Sequence, residues 1–334
     1  MPTLTLDRSP LVVQGGLGAL VLAVSLLLAG CDAGGSAPGS ETSTVSSVSV
    51  MVQSDTLDLP GTLLLPDTTA AVPGVVIVHG SGPVDRDGQS RVTTHPPIFE
   101  RWAERMADRG IAVLRYDKRS TLPEVAAAHP RDVAYLDFVR DAVAAGQLLR
   151  NRAAVDPDRI VFVGHSQGGN VAPAAATRLG DVAGVAALAG PALAIDSLFV
   201  AQLEAAGTGV GCTAPQARAQ FDSLRTDKLE PEGLICGLSP TFWRQWIRHT
   251  QKIDSVAAAL KAPLFVQQGR ADQRYPGSTL QRSLAGWRRI ARTDVATVRV
   301  YDRVDHLFLR ADSSVTAEAP LDDLISWIRH DTGP

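Results

Sequence analysis

The chain has 334 residues, of which 45% are hydrophobic and 20% are charged. This balance supports one large core and excludes a chain that is disordered throughout. Its 32 Lys and Arg residues against 35 Asp and Glu residues give a formal charge of −3, which offers no cationic field to polyanions and excludes nucleic acid as an expected partner.

The first 30 residues have the layout of a secretory signal peptide. Arg8 precedes an apolar stretch at residues 17–28, which is shorter than the roughly 20 residues of a bilayer-spanning helix, and small residues follow it directly. Residues 28–31 read Leu-Ala-Gly-Cys and resemble the lipobox of bacterial lipoproteins. We therefore expect Cys31 to carry a lipid that anchors an exported protein to a membrane without spanning it. A plain secretory signal and an uncleaved anchor are the alternatives.

A segment of small and polar residues precedes the folded domain. Residues 31–47 are mostly Gly, Ser, Thr and Ala, with almost no large apolar side chain, so we expect a flexible tether. Residues 48–52 and 57–65 are short runs with turn residues between them, which is typical of two strands in a hairpin. The folded domain is therefore expected over residues 48–334.

Apolar strands and amphipathic helices alternate from residue 75 to residue 188. We expect strands at 75–78, 111–116, 160–163 and 182–188, and helices at 98–109, 135–150 and 167–178. Several of the strand runs are continuously apolar, as in strands buried on both faces, and Gly110 suits a left-handed helix end. This order predicts an α/β fold, with a mostly parallel twisted sheet and helices on both faces.

The alternation breaks at about residues 191–260, where the sequence is rich in helix formers. Because strands of one sheet lie on both sides, we predict an inserted helical cap there. The core then resumes with a strand at 263–267, a helix at 279–291, a strand at 297–301 and a helix at 319–330. Trp243 and Trp246 are expected to pack the cap against the core more readily than to line an acyl pocket. We expect the cap to be the source of specificity.

Cysteine usage agrees with an oxidising exterior. Apart from Cys31, the chain contains only Cys212 and Cys236, an even pair close together in sequence. We predict a disulfide between them; two unrelated buried thiols are the alternative. No Cys or His spacing suggests a metal site, and no metal or cofactor is expected.

Residues 164–168 read Gly-His-Ser-Gln-Gly and match the GxSxG pattern of a nucleophile elbow. The motif lies between an apolar strand and a helix, where a sharp turn exposes the Ser166 hydroxyl and glycines let the two elements approach closely. A Gly-rich turn that binds phosphate is the alternative, but the GxGxxG and GxxxxGK[ST] patterns are missing. We therefore predict that Ser166 is a nucleophile.

Further motifs make the chain resemble the α/β-hydrolase superfamily, and more narrowly its bacterial esterase, dienelactone-hydrolase-like and serine-aminopeptidase-like branch. They are His-Gly-Ser-Gly-Pro at 79–83, Asp-Arg-Asp at 85–87, Arg-Tyr-Asp-Lys-Arg at 115–119, and two late motifs at 267–273 and 302–308. The resemblance covers residue 48 to the C-terminus, except the cap. It implies the triad order Ser, acid, His, and an oxyanion hole formed by the backbone N–H groups of Ser81 and Gln167.

The two late motifs supply the acid and the base. Asp272 and His306 each come just after a predicted strand, at the sheet edge where an open parallel sheet gathers its functional groups. A neutral imidazole accepts the serine proton, and a carboxylate on its other nitrogen fixes the tautomer. Asp196, which follows the preceding strand, is the substitute acid.

Charged residues near these motifs are expected to form ion pairs that hold loops: Asp85, Arg86, Asp87, Asp117 and Arg119. The predicted activity is hydrolysis of a small carboxylic ester through an acyl-enzyme. A peptidase or thioesterase with the same triad remains open, as does a lipoprotein that uses the scaffold only for binding.

Overall fold

The computed structural model describes residues 45–90, 95–127, 132–207, 211–229, 233–291 and 296–332. The predicted signal peptide, the lipidation site at Cys31 and all but the last three residues of the predicted tether lie outside the described residues. Among the described helices, none combines the length and the apolar character needed to cross a bilayer.

A single eight-stranded sheet organises the described part of the chain. Its strands are β1 Ser46–Ser54, β2 Leu57–Leu65, β3 Val72–Val78, β4 Ala112–Tyr116, β5 Val155–His165, β6 Gly184–Leu188, β7 Leu264–Gly269 and β8 Ala296–Tyr301. They lie in the order β1-β2-β4-β3-β5-β6-β7-β8. The β1–β2 and β2–β4 pairs are antiparallel, and all the others are parallel. The predicted α/β fold with its N-terminal hairpin is confirmed.

Helices cover both faces of the sheet. They are α1 Ile98–Ala107, α2 Pro123–Ala127, α3 Tyr135–Arg150, α4 Gly168–Leu179, α5 Ile195–Ala206, α6 Ala214–Arg225, α7 Pro240–Gln251, α8 Ile253–Ala259, α9 Thr279–Ala291 and α10 Glu318–His330. Successive side chains of a strand point to opposite faces, so β3 places Val76 in the core shared with α3, α4 and α9, and Val75 and Ile77 in the core shared with α1 and α10. Both faces are therefore buried.

Strand ends differ from the sequence prediction because apolar patterning identifies only the buried part of a strand. β1 begins at Ser46, inside the segment expected to be a tether, and its first residues are exposed while still paired with β2. β5 begins at Val155, five residues before its apolar run, because Val155 pairs with Val72 of β3. Helix α1 ends at Ala107, and Gly110 with φ 80° turns the chain into β4.

Four helices, α5 to α8, lie between β6 and β7 and form the cap. Cys212 and Cys236 form a disulfide with Cα atoms 5.1 Å apart, which joins the segments on either side of α6. Trp243 and Trp246 of α7 are buried and stack on each other, and Trp246 also stacks on Tyr135 of α3 with ring centroids 5.8 Å apart. The tryptophan pair therefore packs the cap against the core.

Candidate active site

The segment between β5 and α4 is a sharp turn with Ser166 at its tip. Ser166 has a φ of 55°, in the left-handed region that a non-glycine residue rarely adopts, and its N–H donates to the Leu188 carbonyl at 2.8 Å. A Cβ at Gly164 would lie 2.0 Å from the Gly168 carbonyl oxygen, and a Cβ at Gly168 would lie 2.2 Å from the Val78 carbonyl oxygen. Only glycine fits these two positions, which explains why a glycine lies two residues before and two residues after Ser166.

Asp272 and His306 meet at the carboxyl end of the sheet, after β7 and β8. His306 Nδ1 lies 2.8 Å from Asp272 Oδ2, and the buried carboxylate also accepts from Gln268 Nε2 at 2.8 Å and from the Arg274 N–H at 2.9 Å. Burial alone would raise the pKa of Asp272, but His306 and these hydrogen bonds lower it below the ordinary value. An ionised carboxylate at Nδ1 holds the proton there and leaves Nε2 as the basic nitrogen.

The loop carrying His306 is docked on the residue that precedes the serine. His165 Nε2 lies 2.7 Å from the His306 carbonyl oxygen, and the two imidazole centroids are 4.9 Å apart. Within the described residues the Ser166 hydroxyl makes no hydrogen bond, and both Ser166 and His306 are only partly buried. In substrate-free enzymes the contact between nucleophile and base is often loose and tightens when substrate binds.

Ser81 and Gln167 flank the serine from two loops. Ser81 is exposed beyond the end of β3, and a Cβ on the neighbouring Gly80 would lie 3.3 Å from Ser166 Cβ, so this loop packs directly on the elbow. Gln167 is the N-cap of α4. In the described part of the chain neither backbone N–H of the pair donates a hydrogen bond. Both donors are thus free for an anion beside a helix N-terminus.

Asp196, the substitute acid, does not reach the histidine. It lies in α5 of the cap, where its buried carboxylate pairs with Arg225 of α6. The structure therefore brings Asp272, and not Asp196, to His306.

One known protein family matches this chain. The family described as serine aminopeptidase, S33 (Hydrolase_4) matches residues 89–312, which is more than half of the chain. The chain belongs to this hydrolase family.

Proteins that are similar to this hydrolase in sequence or in fold carry several names. Esterase EstD of Thermotoga maritima is 26% identical over 262 residues, which cover 77% of this chain but only 60% of the relative's length. The acylaminoacyl peptidase of Pyrococcus horikoshii superposes with a TM-score of 0.61 at 19% identity, over 86% of this chain and 42% of that chain. A dienelactone hydrolase from Anabaena variabilis superposes with a TM-score of 0.50 at 18% identity, over 86% and 98%. The α/β-hydrolase fold is confirmed.

Four of the five charged residues expected to hold the loops around the hydrolase site form ion pairs. Arg86 pairs with Asp117 at 2.7 Å and Arg115 pairs with Asp87, which together fasten the segment after β3 to the end of β4. Arg119 is buried and pairs with Asp141 of α3. The ion pair expected for Asp85 is not formed with any described residue; its carboxylate instead accepts the backbone N–H groups at positions 87 and 89 and so stabilises the turn. These contacts hold the loops in place and do not involve the serine.

Two residues that support the site were not assigned a role from the sequence. His165 holds the His306 carbonyl, although inside the GxSxG motif its position carries no required residue type. Tyr275 donates its hydroxyl to the Ala189 carbonyl at 2.7 Å, and its ring centroid lies 6.4 Å from that of His306. Neither contact leaves a signal in local spacing, because each joins segments far apart in the chain.

Two buried histidines should make the folded hydrolase sensitive to acid. The pKa values of His79 and His165 are both lowered to about 3, chiefly because the rings are buried. The next cause is an electrostatic interaction, with Lys118 for His79 and with His306 for His165. The unfolded chain, with a histidine pKa of about 6.5, then binds protons that the folded chain excludes. The stabilisation is complete above about pH 6.5 and is lost as the pH falls toward the folded values.

His165→Gln removes one of the two rings that bind a proton only in the unfolded chain. We therefore expect the free energy of unfolding to depend less steeply on pH in this variant. Between about pH 4 and about pH 6 the slope should fall by about 1.4 kcal/mol per pH unit relative to the wild type, measured by urea unfolding at each pH. The exposed His330 on α10 is the control, and His330→Gln should keep the wild-type slope. Equal slopes for the wild type and His165→Gln would contradict the lowered pKa of His165 in the folded chain.

Proposed function

We propose that this hydrolase cleaves a small carboxylic ester through an acyl-enzyme, with Ser166 as nucleophile, His306 as general base and Asp272 as the residue that orients the base. The observation that carries the proposal is the 2.8 Å contact between His306 and a buried, multiply hydrogen-bonded Asp272, in a loop docked on the residue before Ser166. This is the constellation that activates a serine hydroxyl at neutral pH.

The geometry supports a two-step mechanism. Ser166 Oγ attacks the ester carbonyl as His306 Nε2 takes its proton, and the resulting oxyanion is held by the free N–H groups of Ser81 and Gln167. His306 then gives the proton to the leaving alcohol, and the acyl group stays on Ser166. Water activated by the same imidazole attacks the acyl-enzyme and releases the acid. Asp272 stays ionised throughout and stabilises the imidazolium.

Labelling with a fluorophosphonate probe tests the nucleophile. The full chain should be labelled at Ser166, and Ser166→Ala should abolish both labelling and hydrolysis of a p-nitrophenyl ester. Ser278→Ala is the matched control, because Ser278 is an exposed serine in the segment between β7 and α9. A folded wild-type chain that is not labelled would support the alternative of a protein that only binds a partner.

Similar proteins are named for cleavage of esters and for cleavage of peptides. The curated relative is named an esterase, while the family description and one structural neighbour name peptidases, so a peptidase is the second candidate. A panel of p-nitrophenyl esters of increasing acyl length, aminoacyl anilides and acyl thioesters separates them by kcat/KM. The ester proposal expects esters to be preferred, and a preference for anilides or thioesters would replace it.

We also propose that the enzyme is exported and lipid-anchored through Cys31. Support comes from the apolar stretch that ends directly before Cys31 and from the cap disulfide, which suits an oxidising compartment. Detergent phase partition of the chain made in a bacterial host tests this. The wild type should enter the detergent phase and Cys31→Ser the aqueous phase; equal partition would reject the anchor.

A further inference from the structure

Lys118 is the one charged residue of the 115–119 motif that forms no ion pair with the described part of the chain. The residue is only 3% exposed, and Nζ lies 2.6 Å from the Gly80 carbonyl oxygen and 2.8 Å from Gln167 Oε1. Nζ also lies over the Phe138 ring, 4.2 Å from its centroid. A buried amine thus contacts two separate loops, both of which adjoin the nucleophile.

The first of these contacts fixes the direction of an oxyanion donor. The Gly80 carbonyl and the Ser81 N–H belong to one peptide group, and in a planar trans peptide they point in opposite directions. Holding the carbonyl oxygen therefore sets where the N–H points. The loop needs such a restraint because glycines at positions 80 and 82 lower the cost of rotating this peptide.

The second contact restrains the other donor. The other donor is the backbone N–H of Gln167. This residue is 2% exposed, and its side-chain oxygen Oε1 accepts a hydrogen bond from the same Lys118 nitrogen. One amine therefore bridges the Gly80 carbonyl and the Gln167 side chain. Burial lowers the pKa of Lys118 to about 7, with Asp141 opposing the shift, but an uncharged amine still has the two N–H donors that its two acceptors require.

We propose that Lys118 is a positioning residue for the oxyanion hole, which holds the Gly80–Ser81 peptide and the Gln167 residue at the separation needed to bind the transition-state oxygen. The inference rests on the proposed function, since the hole matters only if Ser166 is the nucleophile. Lys118 contacts no reacting atom and acts through its two acceptors.

Lys118→Met keeps the length of the side chain and removes its donors. We expect kcat for a p-nitrophenyl ester to fall by about 10- to 100-fold, with KM unchanged. This decrease does not exceed the decrease in kcat expected when an oxyanion donor is removed altogether. Affinity for a trifluoromethyl ketone, whose adduct with serine places an oxyanion in the hole, should fall by a similar factor. A purely structural role would change the melting temperature without this split between kcat and KM.

Lys261→Met is the matched control, because it makes the same substitution at an exposed lysine before β7, at the end of the sheet opposite the site. It should keep the wild-type kcat once folded. Gln167→Met removes the acceptor but keeps the backbone N–H, and we expect about a 10-fold loss of kcat that is not additive with Lys118→Met.

A folded Lys118→Met with wild-type kcat and inhibitor affinity would overturn the proposal, and if that variant does not fold, Gln167→Met with wild-type values would do so. Absence of probe labelling at Ser166 in the wild type would instead reject the proposed function.

Discussion

Replacement of His306 by Ala should lower kcat for ester hydrolysis by about 10⁶-fold, with little change in KM. The imidazole is the group that takes the Ser166 proton, and at neutral pH an unassisted hydroxyl is a poor nucleophile. The structure holds this ring against Asp272 at 2.8 Å, so no other described histidine can occupy its place without rebuilding the loop after β8. Steady-state kinetics with a p-nitrophenyl ester measures the effect.

Residues that act as one unit are not additive, which sharpens the test. The double variant Ser166→Ala with His306→Ala should be about as slow as either single variant. His330→Ala, which alters an exposed histidine on α10, should leave kcat unchanged. Independent losses that multiply in the double variant would mean that the two side chains do not work together.

The second large effect is expected for Asp272→Asn, which should lower kcat by about 10⁴-fold while leaving the fold and KM nearly intact. An amide in place of the carboxylate can donate a hydrogen bond to Nδ1 and so favours the wrong tautomer of His306. The nitrogen that should accept the serine proton is then already protonated. The expected change is in kcat, measured on protein shown to be folded by circular dichroism.

Asp196→Asn is the control that separates the two candidate acids. Asp196 is also a buried carboxylate at the edge of the cap, but it pairs with Arg225 and does not contact His306. Its substitution should cost stability and leave the kcat of folded protein near the wild-type value. A large loss of kcat in Asp196→Asn with normal activity in Asp272→Asn would reverse the assignment.

Much of the architecture follows from the sequence because the elements near the site have strong periodicity. The predicted ranges of α3 and α9 coincide with the observed helices, Tyr135–Arg150 and Thr279–Ala291. The strand-turn-helix context of Ser166 is equally local, because β5, the turn and α4 follow one another directly in the chain. Gly164 is required by its close approach to Gly168, four residues later. Local pattern and local geometry agree in these segments.

Contacts between distant segments could not be read from the sequence. The sequence predicted Asp272 as the acid but kept Asp196 as a substitute, because only the assembled fold shows which loop reaches His306. The roles of His165 and Lys118 depend on carbonyl groups 141 and 38 residues away. The extended β1 and β5 were underestimated for a related reason, because their exposed residues are held by pairing with a neighbouring strand and carry no apolar signal. These features depend on the assembled sheet.

The acyl-enzyme is the species on which the proposed mechanism depends, and mass spectrometry can detect it. The chain is mixed with a p-nitrophenyl ester whose acyl group is hydrolysed slowly from the enzyme, and the reaction is quenched in acid. The mass of the intact chain is measured, and its peptides are then sequenced. We predict one added acyl group per chain, located on Ser166 and absent from Ser166→Ala. An acyl group on another residue, or ester hydrolysis that continues in Ser166→Ala at the wild-type rate, would contradict the account.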